Sequence, residues 1–104
     1  MNIQNLMQQA QKMQRKMTAM EEEFKKETFS VEAGGGAISV TMSGEMKITD
    51  ISIDPELIAE GDQEMIQDLI VAAVNQIITK VRREKEAKTS KIVGKMGGGM
   101  PGLF

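Results

Sequence analysis

The chain has 104 residues and a formal net charge of −2, with no His, Cys, Trp or Tyr, but with ten Met and ten Gly. Without His and Cys it has no imidazole base, no thiol nucleophile and no Cys- or His-based metal site, which removes the usual groups of most enzyme mechanisms. We therefore expect no cofactor and no small-molecule substrate, and an enzyme is only a distant third interpretation, which the carboxylate-rich middle of the chain alone suggests. A single small domain is expected at this length, and such a small core gains from a partner subunit, so we expect self-association.

The N-terminal segment carries apolar residues at alternating spacings of three and four, which is a heptad pattern. No Gly or Pro interrupts it, so it predicts one amphipathic helix over residues 2–26. The narrow apolar stripe is typical of a coiled-coil-like seam, and its spacing leaves open whether the seam packs within the chain or across a dimer. The seam residues are Ile3, Leu6, Ala10, Met13, Met17, Met20 and Phe24.

Apolar and polar residues then alternate with a period of two, which predicts half-buried strands over about 28–33 and 37–43. The glycines of Gly34–Gly36 lie between the two strands. Because they precede a strand and not the N-terminus of a helix, we interpret them as a hairpin turn and not as a phosphate-binding loop.

A third strand is predicted over about 46–53, which completes an antiparallel three-stranded meander. The parity of its apolar residues changes at Thr49-Asp50. A one-residue slip would turn one half of the strand to water, so we predict a β-bulge at this point. The bulge would keep four residues on the core face, namely Met46, Ile48, Ile51 and Ile53.

An Asp-Pro pair at 54–55 predicts a short helical turn over 55–59. Asp62 is a second N-cap, and it begins a long helix predicted over 62–93 whose broad apolar stripe covers the sheet. The Gly-rich residues 94–104 are predicted to be a mobile tail. The predicted fold class is α+β, an α-β-β-β-α unit formed by one domain over residues 1–93. No apolar run is long enough to cross a membrane, and no signal peptide is readable, so we expect a cytoplasmic protein with no membrane partner.

The charge is distributed unevenly along the chain. Residues 45–79 carry a net charge of −7, whereas residues 1–26 carry +2 and residues 80–104 carry +5. At about 100° per residue, four cations of the last helix fall within about 80° of one another, a stripe able to contact phosphates. The alternative is an ordinary solvated face, because Glu84 lies inside the stripe at the i,i+4 spacing from Lys88. The four stripe residues are Lys80, Lys88, Lys91 and Lys95.

Five segments extend in order along nearly the whole chain: a Met- and Gln-rich first helix, Val31–Thr41 around the glycine turn, Ile51–Leu57, Gln67–Asn75 and the ending Gly99–Phe104. Together they resemble the YbaB/EbfC family of bacterial nucleoid-associated proteins. The resemblance implies a tight homodimer with projecting helices and no enzymatic activity. It also implies binding to duplex DNA, with a role in nucleoid organisation and gene regulation. It supplies no motif for individual DNA contacts.

We therefore predict a nucleoid-associated homodimer that binds duplex DNA mainly through phosphates and alters its conformation. The alternative is a non-enzymatic protein-interaction adaptor that uses its Met-rich helical surfaces and the C-terminal tail. Steep salt dependence would distinguish phosphate binding from apolar docking. The candidate DNA-binding residues are the cations of the two long helices: Lys12, Arg15, Lys16, Lys25, Lys26, Lys80, Arg82, Arg83, Lys85, Lys88, Lys91 and Lys95.

Overall fold

The elements follow one another in the predicted α-β-β-β-α order, with the short helical turn inserted before the last helix. The computed structural model describes the backbone of residues 2–96 and the side chains of residues 2–94. The tail predicted over 94–104 lies largely outside these residues. The helices and strands are α1 (Ile3–Lys26), β1 (Thr28–Ala33), β2 (Ile38–Ser43), β3 (Ile48–Ile53), α2 (Pro55–Glu60) and α3 (Gln63–Met96).

Both predicted caps between the sheet and α3 are present. The Asp54 carboxylate accepts a hydrogen bond from the backbone N–H of Glu56 at 2.9 Å, and Asp62 accepts one from that of Met65 at 3.0 Å. Each satisfies a donor that the first turn of a helix leaves without a partner. Gly61 separates the two helices at φ +75°, a left-handed conformation that glycine adopts without strain.

Helix α3 continues beyond its predicted end at residue 93. It includes Gly94 and reaches Met96, so Gly94 does not begin the tail. A glycine inside a helix costs only about 1 kcal/mol relative to alanine, which is too little to end a helix whose neighbours favour helical conformation. With 34 residues α3 is about 51 Å long, and the molecule measures 69 × 25 × 15 Å along its principal axes.

The sheet has the order β1-β2-β3, and every neighbouring pair is antiparallel. Its apolar face packs against α3, which crosses β1 and β2. The opposite face is polar, and there the hydroxyls of Ser30 and Thr41 lie 3.1 Å apart across the strands. The core between sheet and helices is formed by Phe24, Val31, Ile38, Val40, Met42, Leu57, Ala73, Ile77 and Val81.

The predicted bulge is present in β3. Thr41 pairs with Asp50 and Met42 pairs with Ile48, so Thr49 is the additional residue. The bulge places Ile48 on the same face as its buried partner Met42, as the change of parity requires.

Met46 departs from the prediction because it is not part of β3. It lies in the tight turn between β2 and β3 at φ +67°, where its N–H donates to the Ser43 carbonyl at 2.9 Å. Its side chain is 41% exposed and so does not join the core. Ile48 and Ile51 do lie on the helix-facing side of the sheet, but α3 packs mainly against β1 and β2, and each of the two residues is 42% exposed.

Gly44, directly after β2, is the point at which the sheet meets the C-terminus of α1. Its N–H donates to the Glu27 carbonyl at 2.9 Å. A Cβ atom at this position would overlap the backbone carbonyl of Phe24, which cannot move without shifting α1. Only glycine permits this close approach.

We expect Gly44→Ala to lower the free energy of unfolding by about 2–3 kcal/mol, because overpacking against backbone has no flexible side chain to absorb it. The measurement is urea unfolding at a fixed protomer concentration. The matched control is Gly94→Ala, where an added Cβ meets nothing within 4 Å. It should stabilise the helix by about 0.5–1 kcal/mol. Equal stability of Gly44→Ala and the native chain would contradict the close contact.

Candidate nucleic-acid interface

Two helices extend beyond the sheet from a common junction. On α3 the buried positions end at Val81, and 15 residues continue from there to Met96, a distance of about 22 Å. Helix α1 reaches the junction at Phe24, a buried residue in its last turn, and packs against α3. Half-buried residues continue along both helices away from the junction, which indicates that the two run antiparallel, side by side. We call this pair of helical extensions the arm.

The junction is built around the ring of Phe24, which is 1% exposed. The Phe29 ring lies with its centroid 5.4 Å from that of Phe24. The Lys88 ammonium lies 5.7 Å from the same centroid, within the range of a cation–π contact, and forms an ion pair with Glu27 at 2.6 Å. Aromatic packing and an ion pair therefore hold the base of the arm together.

The heptad seam of α1 divides into two parts. Its C-terminal part, Phe24 and the three seam methionines, is buried or half-buried within the single chain. Its N-terminal part is exposed, with Ile3 at 72% and Leu6 at 38%, and Ala10 is exposed as well. The seam is thus a packing surface within the chain near the junction and an uncovered surface toward the N-terminus.

The cations of α1 lie mainly on the side away from the seam. Lys25 does not lie on this side. It forms a 3.6 Å ion pair with Glu22, in which both side chains are more than half exposed. At about 100° per residue the other four fall within about 100° of one another, and all are exposed to solvent. They are Lys12, Arg15, Lys16 and Lys26.

The cationic stripe predicted on α3 is divided by internal contacts. The Lys80 ammonium donates a hydrogen bond to the Ser30 carbonyl of β1 at 2.9 Å, and Lys88 is held at the junction. Both continue the line of α3 that faces the sheet. Lys91 is exposed, and the Lys95 side chain lies outside the described residues.

The remaining cations of α3 lie on two flanks. Arg83 lines a shallow depression beside β1. Arg82 and Lys85 line a groove of about 890 Å³ between the arm and the β2–β3 turn, together with Lys25 of α1. Carboxylates also line this groove, so its charge is mixed. The sequence alone does not reveal this groove, because its walls come from segments that meet only in the folded chain. The acidic members are Glu21, Glu45 and Glu86.

An apolar surface that the sequence did not predict lies beside β3. Ile48 and Ile51 lie on the side of the sheet that α3 covers mainly over β1 and β2. On α3, Val71 and Ile78 lie about 160–180° around the helix from Lys80, which contacts β1, so they lie on the β3 flank. Val71 is 59% exposed. We call Ile48, Ile51, Val71 and Ile78 the β3 apolar face.

Within residues 2–96 no helix is long and apolar enough to cross a membrane. The same described part of the chain contains no group of three or more acidic side chains that would hold a metal ion.

Residues 1–96 match the sequence model of the YbaB/EbfC DNA-binding family. A nucleoid-associated protein of Acetivibrio thermocellus is 50% identical over 99% of this chain and 90% of its own length, and one of Clostridium acetobutylicum is 42% identical over 98% and 89%. The crystal structure of an uncharacterized protein from Helicobacter pylori has the same fold, with a TM-score of 0.75 at 24% identity over 90% of this chain and 99% of that one. The resemblance inferred from the sequence is confirmed, and the chain belongs to the YbaB/EbfC DNA-binding family of nucleoid-associated proteins, which is not an enzyme family.

Proposed function

We propose that the protein binds duplex DNA as a homodimer, through phosphate contacts made by the exposed cations of its arms, and thereby alters DNA conformation in nucleoid organisation and gene regulation. This function places it in the nucleoid of the bacterial cytoplasm. The observation that carries the proposal is the exposed row of cations along the outer side of α1, in a chain of a DNA-binding family. Lysine and arginine on an extended helix neutralise phosphates and release counterions.

The composition of the arm disfavours recognition of bases by aromatic stacking. Bases of single strands are read largely by aromatic stacking, and the aromatic rings of the described residues are engaged in packing. Phe24 is buried and Phe29 is half-buried against it. Flexible cations supply affinity without sequence discrimination, and changes in DNA conformation then follow from where the dimer holds its arms.

Most of the acidic part of the chain does not oppose this proposal, because it lies far from the arm. Glu45, which lines the groove beside the arm, is the exception. Residues 45–79 form most of the β2–β3 turn, β3, α2 and the first half of α3. Along α3 alone, Glu64 and Lys88 are separated by 24 residues, which is about 36 Å of helix. The Debye length at physiological salt is about 8 Å, so the acidic end does not cancel attraction at the arm.

For the homodimer we propose that a second copy of the chain covers the β3 apolar face. This face is the uncovered half of an otherwise buried sheet surface, and Val71 extends it on α3. Burying large aliphatic side chains stabilises an interface by roughly 25 cal/mol per Å² of apolar area. A two-fold dimer presents two arms, and simultaneous contact of both with one duplex raises affinity through effective concentration.

A protein-interaction adaptor is the second candidate, and one observation favours it. Ile3, Leu6 and Met7 are 72%, 38% and 57% exposed at the end of α1 farthest from the junction. Uncovered apolar residues on one helix can insert into an apolar groove of another protein. Such docking depends weakly on salt, which distinguishes it from phosphate binding.

Binding to a mixed-sequence duplex of about 40 base pairs should weaken steeply with salt. We expect log affinity to fall linearly with log salt concentration, because each neutralised phosphate releases counterions with a slope of about −0.9 per contact. Fluorescence anisotropy at several salt concentrations measures the slope. Absence of binding at low salt would contradict the proposal and favour the adaptor.

Lys12→Gln should reduce the magnitude of that slope by about 1 to 2, because each subunit of a dimer loses one phosphate contact on the outer side of α1. The matched control is Lys47→Gln, which removes one ammonium from the β2–β3 turn, away from the outer side of α1. The same salt titration compares the two variants. Equal losses in both would indicate general electrostatic attraction and not contact through α1.

Val71→Glu should raise the dimer dissociation constant at least tenfold, because a carboxylate buried in an apolar interface has no partner. Val71 is 59% exposed in the single chain, so the fold itself should tolerate the change. Sedimentation velocity over a range of concentrations reports the dimer, with Gln76→Glu as the control on the exposed β1 flank of α3. An undisturbed Val71→Glu dimer would show that another surface pairs the subunits.

A further inference from the structure

Lys88 differs from the other candidate DNA-binding cations in its contacts. Its ammonium lies 2.6 Å from Oε1 of Glu27, 61 residues away in sequence, and both side chains are 39% exposed. The ammonium also approaches the buried ring of Phe24. The ammonium is thus directed toward Glu27 and the ring of Phe24.

Glu27 presents its carboxylate from a rigid point of the backbone. Its N–H donates to the Phe24 carbonyl at 3.1 Å, and its carbonyl accepts from Gly44 at 2.9 Å. Residue 27 is thus tied both to the last turn of α1 and to the end of β2. Lys88 therefore links α3 to the one residue that joins α1 to the sheet.

The local electrostatics favour a cation at this point. The C-terminus of α1 carries the negative end of the helix dipole, which an ammonium stabilises. The second carboxylate oxygen of Glu27, Oε2, is buried and has no hydrogen-bond partner among the described residues. Without Lys88 the carboxylate would be left half-buried with neither oxygen paired, a costly arrangement.

The Lys88–Glu27 ion pair lies at the base of α1, so a small rotation at this point moves the far end of the helix by a large distance. Ile3 lies 21 residues from Phe24, which is about 32 Å along α1. A rotation of about 10° at the junction would move that end of the helix by about 5 Å. Because α1 packs chiefly on α3, contacts at the junction determine how the cations of α1 are placed.

We infer that Lys88 is a positioning residue: its ion pair with Glu27 fixes α1 against α3 and so sets the placement of the α1 cations on DNA. The expected effect on DNA binding rests on the proposed function, but the effect of the ion pair on the position of α1 can be measured without DNA. Lys88 then acts through Glu27 and not through a phosphate.

The test is a charge swap. Lys88→Glu should weaken DNA affinity at least tenfold and increase hydrogen exchange of α1 amides at least tenfold, because the pair becomes repulsive. The double variant Glu27→Lys with Lys88→Glu has the net charge of the native chain and re-forms the pair. It should recover at least half of the lost log affinity and restore slow exchange in α1.

Lys91→Glu is the matched control, since Lys91 is exposed one turn farther along α3. Lys91→Glu should leave hydrogen exchange of the α1 amides unchanged. Any loss of DNA affinity that it causes should not be reversed by Glu27→Lys. Lys88→Met, which keeps the aliphatic stem over Phe24, serves if Lys88→Glu does not fold. It should also accelerate α1 exchange.

The outcomes separate the two proposals. A double variant as weak in DNA binding as Lys88→Glu would overturn the inference and make Lys88 a direct phosphate contact. Unchanged α1 exchange in Lys88→Met would overturn it as well. If the native chain fails to bind DNA, the proposed function fails, while the exchange measurements still decide whether the Lys88–Glu27 ion pair holds α1 in place.

Discussion

The close approach of the C-terminus of α1 to Gly44 is the constraint on which the rest of the structure depends. Because the Phe24 carbonyl occupies the space of a missing Cβ, α1 ends directly on the sheet and the ring of Phe24 enters the core. The chain must then turn at Glu27 into β1. From that point α1 extends away from the sheet beside α3, which produces an elongated molecule from a small core.

Helix α3 connects the core to the arm, because it is one continuous helix whose two halves lie in different environments. Its first half has a broad apolar side, part of which lies against β1 and β2 and part of which is uncovered beside β3. Its second half has few apolar residues and seven cations between residue 80 and the end of the chain. The same element therefore supplies core, apolar surface and arm. The net charge of −2 conceals this division, because it averages an acidic body with a basic arm.

Local patterns in the sequence predict most of the fold. The period of two, the glycine turn and the caps at Asp54 and Asp62 predict strands and helix starts because each depends on neighbouring residues only. The bulge at Thr49 follows from a change of parity that one strand records by itself. Gly94 and Met46 were predicted wrongly for a related reason. The local preference against a helical glycine and the local preference for a given turn are both weak, so the surrounding structure overrides them.

The candidate site was less accessible to such reasoning because its properties arise between segments. Helical angles correctly grouped Lys80 with Lys88, but they carry no information about what that side of α3 faces. In the folded chain it continues the sheet-facing line, so one ammonium meets a strand carbonyl and the other meets Glu27. A cation near the end of an apolar stripe is therefore ambiguous from sequence. Such a cation is directed outward if no other element packs against the helix at that position. It joins the packing if a neighbouring helix is present there. Lys88 is the second case, because α1 ends opposite it.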